Sequence, residues 1–141
     1  MAHGWCSLRL RFDDRELSLL RGAEQVRGAS LAHNARPEVL REALSLSRAG
    51  HKLAHAAPGA AIVLEETEVR LLLDAVRFAT REVHWVSEQA HRQEPPGPRQ
   101  AAVFKGFPEL SERGLWRSFG VSRELEALAA RLHKALSGPV S

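Results

Sequence analysis

The chain has 141 residues, 44% hydrophobic and 26% charged, the mix of one ordinary globular domain that can bury a core without disulfides or a structural metal. Its formal charge of +3 is spread over interspersed signs, nine basic against six acidic residues in 1–60 and eleven against eleven in 61–141, so no clustered basic face stands out. No stretch approaches the roughly 18 continuous apolar residues of a membrane span, and the start, MAHGWCSLRLRF, lacks the apolar run of a secretory signal. A cytoplasmic protein with no membrane segment is expected.

The single Cys6 excludes an internal disulfide, and beside Trp5 it has no placed cation to make it a reactive thiolate. Residues 7–12 alternate apolar and polar, which predicts a half-buried strand with Leu8, Leu10 and Phe12 inward and Arg9 and Arg11 outward. Asp13 followed by Glu16 has the spacing of a capping box, and acids in a first turn suit the helix dipole. A helix is predicted over about 14–31, with Leu17, Leu19, Leu20, Ala23 and Val26 on its apolar face. Gly22 and Gly28 weaken it unless they admit a close neighbour. Residues 33–37 break the pattern, and Pro37 suits the first turn of a second helix over about 37–55 that presents Val39, Leu40, Ala43, Leu44, Leu46 and Leu53 as its apolar face.

Ala57-Pro58-Gly59 closes that helix, and the pattern restarts. Residues 60–64 read as a second strand and Glu65-Glu66-Thr67-Glu68 as another acidic helix start. Val69, Leu72, Val76, Ala79, Val83 and Val86 then recur at steps of three and four. Leu71, Ala75, Phe78 and Trp85 widen that stripe, so the helix over about 65–89 should be buried on more than one side and form the centre of the fold.

A shift of 52 positions aligns Leu10 with Ile62, Phe12 with Leu64, Glu16 with Glu68, Leu17 with Val69, Leu20 with Leu72 and Val26 with Phe78. A last helix over about 122–136 echoes the second, Glu42-Ala43-Leu44 matching Glu126-Ala127-Leu128 and His51-Lys52 matching His133-Lys134. The expected fold is therefore α+β and mainly helical. It is a single domain over 1–141 built from a duplicated strand-helix-helix unit, with repeat one at about 7–57 and repeat two at about 60–138. Pseudo-twofold symmetry would place about four main helices on a small antiparallel sheet. Two strands alone are marginal, and a homodimer that joins two such sheets would relieve their edges.

The second repeat carries an insertion at about 90–121. Its Glu94-Pro95-Pro96-Gly97-Pro98 reads as an exposed loop, and one or two short helices should follow, broken at Gly106-Phe107-Pro108 and at Gly120. Phe104, Phe107, Trp116 and Phe119 are four of the eight aromatic residues. That density fits either a lid over the core or a surface that docks a partner.

Candidate chemistry is sparse. His51 and His55 stand four apart on a predicted helix, and His84 and His91 seven apart, but a zinc site takes three or four protein ligands and no HExxH or CxxC is present. Asp13-Asp14 and Glu65-Glu66-Glu68 are explained by helix capping. Neither a GxSxG elbow nor a phosphate-cradling glycine loop occurs. No cofactor and no metal are expected.

The reading that follows is a non-enzymatic protein–protein interaction module, an adaptor or accessory regulatory subunit whose partner is another protein or a second copy of itself. Its contact residues would be Phe104, Phe107, Trp116 and Arg117 in the insertion and Arg9 and Arg11 on the outer strand face. The alternative is a nucleic-acid-binding accessory protein using the Arg-rich first half, in which Arg9 and Arg11 contact phosphates. A second alternative is a small enzyme with a site that no motif marks.

Overall fold

The structure, a computed structural model, describes residues 7–34, 36–92, 97–112 and 115–138; the side chains of 90–92, 111, 112 and 115 are outside that description. Cys6, the His91 side chain and Glu94-Pro95-Pro96 are therefore not among the described groups. The order of elements is β1 (Ser7–Arg11), α1 (Asp14–Leu31), α2 (Pro37–Ala54), β2 (Ala61–Glu65), α3 (Glu66–Arg92), α4 (Pro98–Gly106), α5 (Glu109–Glu112), a 3-10 turn (Leu115–Arg117) and α6 (Ser118–Leu136). The fold is α+β, mainly helical with one small antiparallel sheet.

β1 and β2 pair antiparallel, with Leu8 opposite Leu64, Leu10 opposite Ile62 and Arg9 opposite Val63. Alternation along each strand turns Ile62 and Leu64 into the core and leaves Arg9, Arg11, Ala61 and Val63 exposed. Asp13 caps α1 as its spacing requires: its carboxylate accepts from the Glu16 N–H at 2.7 Å, and Glu16 accepts from the Asp13 N–H at 3.0 Å. Glu68 does half of the same work for α3 by accepting from the Glu65 N–H at 2.8 Å. At Gly59 the chain takes a φ of 79°, left-handed backbone that glycine enters without a Cβ clash, and its N–H donates to Phe12 O at 2.8 Å.

α3 is the centre. Val69, Leu72, Ala75, Val76, Ala79, Val83 and Val86 are all buried, because α1, α2, α4 and α6 each lie against it. The inner faces of the two outer helices are narrower. α2 contributes Leu46, Ala49 and Leu53, and α6 contributes Val121, Leu125, Leu128 and Leu132.

Three expectations need correction. Gly120 does not break the chain: α6 begins at Ser118 and runs through it, and no heavy atom beyond the helix's own crowds that position. The helix propensity lost at one exposed glycine, about 1 kcal/mol, is outweighed by packing of the turn around it. Ser122, the expected helix start, is instead buried inside α6 with its Oγ 2.8 Å from His84 Nε2 on α3. Lastly, Leu44 is 55% exposed while Leu128, its match by sequence, is buried, so that alignment of the second and last helices does not hold.

The segment between α3 and α6 docks through a close crossing of α4 on α1. A Cβ on Gly22 would fall on the Gly106 carbonyl and 2.8 Å from the Phe107 ring; one on Gly106 would stand 2.7 Å from Gly22 O. Two glycines facing each other let the backbones touch there. Gly28, by contrast, has open space.

Candidate exposed aromatic docking surface

The aromatic residues of the insertion part company. Phe107 is 2% exposed and sits in the core with Val103 and Leu110. It is therefore not available as a partner contact, and its place on the expected contact surface is withdrawn. Phe104 is half-buried against the same cluster. Trp116 and Phe119 are 74% and 67% exposed. The Arg117 guanidinium lies over the Trp116 ring at 5.2 Å and that of Arg123 over Phe119 at 5.6 Å. Each cation is attracted to its ring face.

These side chains are held on a fixed base. Arg15, at the start of α1, donates to both carboxylate oxygens of Glu124 on α6, at 2.9 and 2.7 Å, and to both of Glu109 on α5, at 3.1 Å each. The fork thus ties together the two elements that flank the 3-10 turn carrying Trp116. Donation from Arg15 holds the Glu124 carboxyl below the usual range, and hydrogen bonding to Glu124, followed by that to Glu109, raises Arg15 against the opposing effect of burial. The other end of the insertion is fixed by Arg99. It donates to Glu82 at 2.8 and 2.6 Å and stacks over Trp85 at 3.8 Å.

Arg9 and Arg11 lie on the outer sheet face as expected, separated from the aromatic residues in sequence and fold. Arg11 Nη1 donates to Gly59 O at 3.0 Å, and the Arg11 carbonyl accepts from Arg131. Half-exposed Val63 stands directly opposite Arg9. The sheet face is therefore mixed, two guanidinium groups beside an apolar strip.

No protein-family model, curated protein or solved structure matches this chain.

A cleft of about 610 Å³ opens between α1, α3 and α4, lined by Val26, Phe78 and Ala102 and rimmed by Ser30, His33 and the Glu82–Arg99 pair. Among the described residues the one carboxylate there, Glu82, is taken by Arg99. Among the described residues no group of three or more His, Cys, Asp or Glu is placed to hold a metal ion. His55 Nδ1 lies 2.9 Å from His51 O and the two rings are 4.4 Å apart, an arrangement that serves the end of α2. No helix of the described chain is long and apolar enough to cross a membrane.

The expected contact residues lack two that stand beside Trp116: Phe119, noted in the sequence only as one of four aromatic residues of the insertion, and Arg123. The signal for Phe119 was its neighbour Trp116. Arg123 became a partner of that ring only once Gly120 was inside a helix, because Phe119 and Arg123 then stand four apart on one face.

Proposed function

We propose that this chain is a cytoplasmic, non-enzymatic docking module, an adaptor or accessory regulatory subunit that binds another protein through Trp116, Phe119, Arg117 and Arg123. One observation carries the reading. Two large aromatic side chains are left outside a well-filled core at the start of α6, on a base tied down by Arg15. Aromatic rings flanked by Arg are the residue types that anchor interfaces, because they bury large area at small cost in side-chain freedom.

The module is further proposed to be a duplication with an internal pseudo-twofold. A shift of 52 positions carries Leu10 onto Ile62, and these two face each other across the ladder, where a twofold axis would pass. The same shift carries Asp13 and Glu16 onto Glu65 and Glu68, and in both pairs the glutamate accepts the N–H three residues before it. A shift of 79 carries buried Leu46, Ala49 and Leu53 of α2 onto buried Leu125, Leu128 and Leu132 of α6. It also carries Lys52 onto Arg131. Lys52 pairs with Glu68 at 2.7 Å and Arg131 with Glu16, so each second helix reaches the first-turn glutamate of the other copy. A twofold requires that exchange.

The test is capture from the native host by the tagged chain and by a Trp116→Ala/Phe119→Ala variant. A stoichiometric protein held by the first and lost from the second is the expected result; equal retention by both would sink the reading. Nucleic acid that leaves with rising salt, and leaves with Arg9→Ala/Arg11→Ala, would favour the phosphate-binding alternative.

A further inference from the structure

We infer that α2 carries a second docking face, centred on Leu40 and Leu44, and that one chain therefore holds two acidic amphipathic helices at once. The inference rests on the docking reading and twofold above and extends them to Leu40 and Leu44, which were expected on the apolar inner face of the second helix and stand exposed.

The exposed large hydrophobic residues among those described are Leu40, Leu44, Val63, Trp116 and Phe119. Four of the five cluster at the start of the second helix of one or the other copy. The shift of 79 that superposes the buried faces of α2 and α6 brings Leu40 onto Phe119 and Pro37 onto Trp116. Leu40 and Leu44, 51% and 55% exposed, are four apart and share one side of α2, turned away from Leu46, Ala49 and Leu53. A lone surface leucine needs no explanation, but a pair on one helix face is a pattern, and of that pair Leu40 falls on Phe119 under the shift while Leu44 falls on Arg123.

Charge selects the occupant. Beside Leu40 and Leu44 stand the exposed Arg41 and Arg48, while Glu42 is occupied by Arg27 at 3.3 Å. Beside Trp116 and Phe119 stand Arg117 and Arg123, while Glu124 is occupied by Arg15 at 2.7 Å. On the α2 side the exposed charges beside the pair, Arg41 and Arg48, are basic; on the α6 side Arg117 and Arg123 lie over the rings and outnumber the one exposed carboxylate that shares their side of the helix, Glu126. The complement is an apolar stripe flanked by carboxylates, which a helix with leucine at every third or fourth position and glutamate elsewhere presents. Two such faces on one rigid chain would also let a partner with two tethered helices bind far more tightly than one with a single helix.

The experiment is calorimetric titration with a synthetic peptide of that leucine–glutamate pattern, with folding of each variant checked by circular dichroism. The expected result is two peptides per wild-type chain and one per chain for Leu40→Glu/Leu44→Glu. One is likewise expected for Trp116→Glu/Phe119→Glu, and none for the variant with all four changes. One peptide per wild-type chain, lost with Trp116→Glu/Phe119→Glu and unaffected by Leu40→Glu/Leu44→Glu, would remove the second face and leave the first. No binding by the wild-type chain would remove both. A wild-type dimer in light scattering that Leu40→Glu/Leu44→Glu dissociates would assign the α2 face to a second copy, and displacement of the peptide by a single-stranded oligonucleotide at low salt would assign it to phosphate; either overturns the inference.

Discussion

Phe107 and Trp116 belong to the same insertion, and the structure sends them opposite ways. Phe107 fills the space beside the Gly22–Gly106 crossing and is buried with Val103 and Leu110. Trp116 stands in solvent with Arg117 over its ring. The difference lies in backbone approach, not hydrophobicity: at Gly22 and Gly106 the absence of side chains lets α4 descend onto α1, and the residue that follows is carried into the core. Among the described residues no such pair lies under the 3-10 turn, which rests against α3 while the Arg15 fork ties the elements on either side of it. An aromatic residue in this insertion is thus structural or available according to how near its segment can come.

The contrast is tested most severely by Phe107→Ala. Truncating a fully buried phenylalanine typically costs about 3–5 kcal/mol, and the midpoint of urea unfolding should fall accordingly. A loss within about 0.5 kcal/mol, the range of a surface change, would mean that the two ends of the insertion do not differ.

A smaller loss is expected for Gly22→Ala. The new methyl meets the Gly106 backbone, which cannot step aside without lifting α4, and overpacking of this kind costs about 1–3 kcal/mol against a helix-propensity gain of about 1. Gly50→Ala provides the control. Its Cβ would stand 2.6 Å from Glu24 Cδ, as crowded on paper, but that neighbour is the end of a flexible side chain that burial already disfavours as an anion, raising its pKa. Gly50→Ala should be neutral or stabilising in the same urea titration. Equal losses for the two variants would remove backbone approach as the cause.

How far these features were legible in the sequence depends on the range of the interaction. The capping box at Asp13 and Glu16 and the stripe of α3 are local, and both appear where spacing placed them. The closeness of Gly22 to Gly106 could be anticipated only as a demand of Gly22 for some neighbour. The Arg15 fork to Glu109 and Glu124 spans most of the chain and leaves no periodic trace. Ser122 misled because serine is a common helix start, while its hydroxyl is used instead across the α3–α6 contact with His84. Leu44 misled for a related reason: identity with Leu128 suggested equivalence, and only burial separates the inward leucine from the outward one.

The fork itself predicts a pH dependence. Glu124 has its folded-state pKa lowered by Arg15, so its contribution is present above the ordinary carboxylate pKa and is lost as pH falls through the lowered value. Arg15→Gln should therefore lower the melting temperature slightly at neutral pH, an exposed network being worth little, and the gap to wild type should close in acid. A gap that persists unchanged at acid pH would mean that Arg15 acts by packing and not by charge.

The smallest effect on stability is expected where the effect on binding is largest. Trp116→Ala/Phe119→Ala removes two rings that contribute little to the core, so unfolding free energy should stay within about 0.5 kcal/mol of wild type per site. Any loss of a bound partner is then attributable to the surface and not to the fold. A matching drop in stability would show that the rings lie down on α6 or α5 in solution, and the docking face would shrink to its arginines. Arg117 sharpens the point, because among the described residues its Nε is buried without a hydrogen-bond partner while its guanidinium stays at the Trp116 ring. A polar atom left unsatisfied beside an exposed ring costs stability in the isolated chain. Because that Nε is enclosed by the chain, a docked partner does not reach it, and its cost belongs to the fold's own balance.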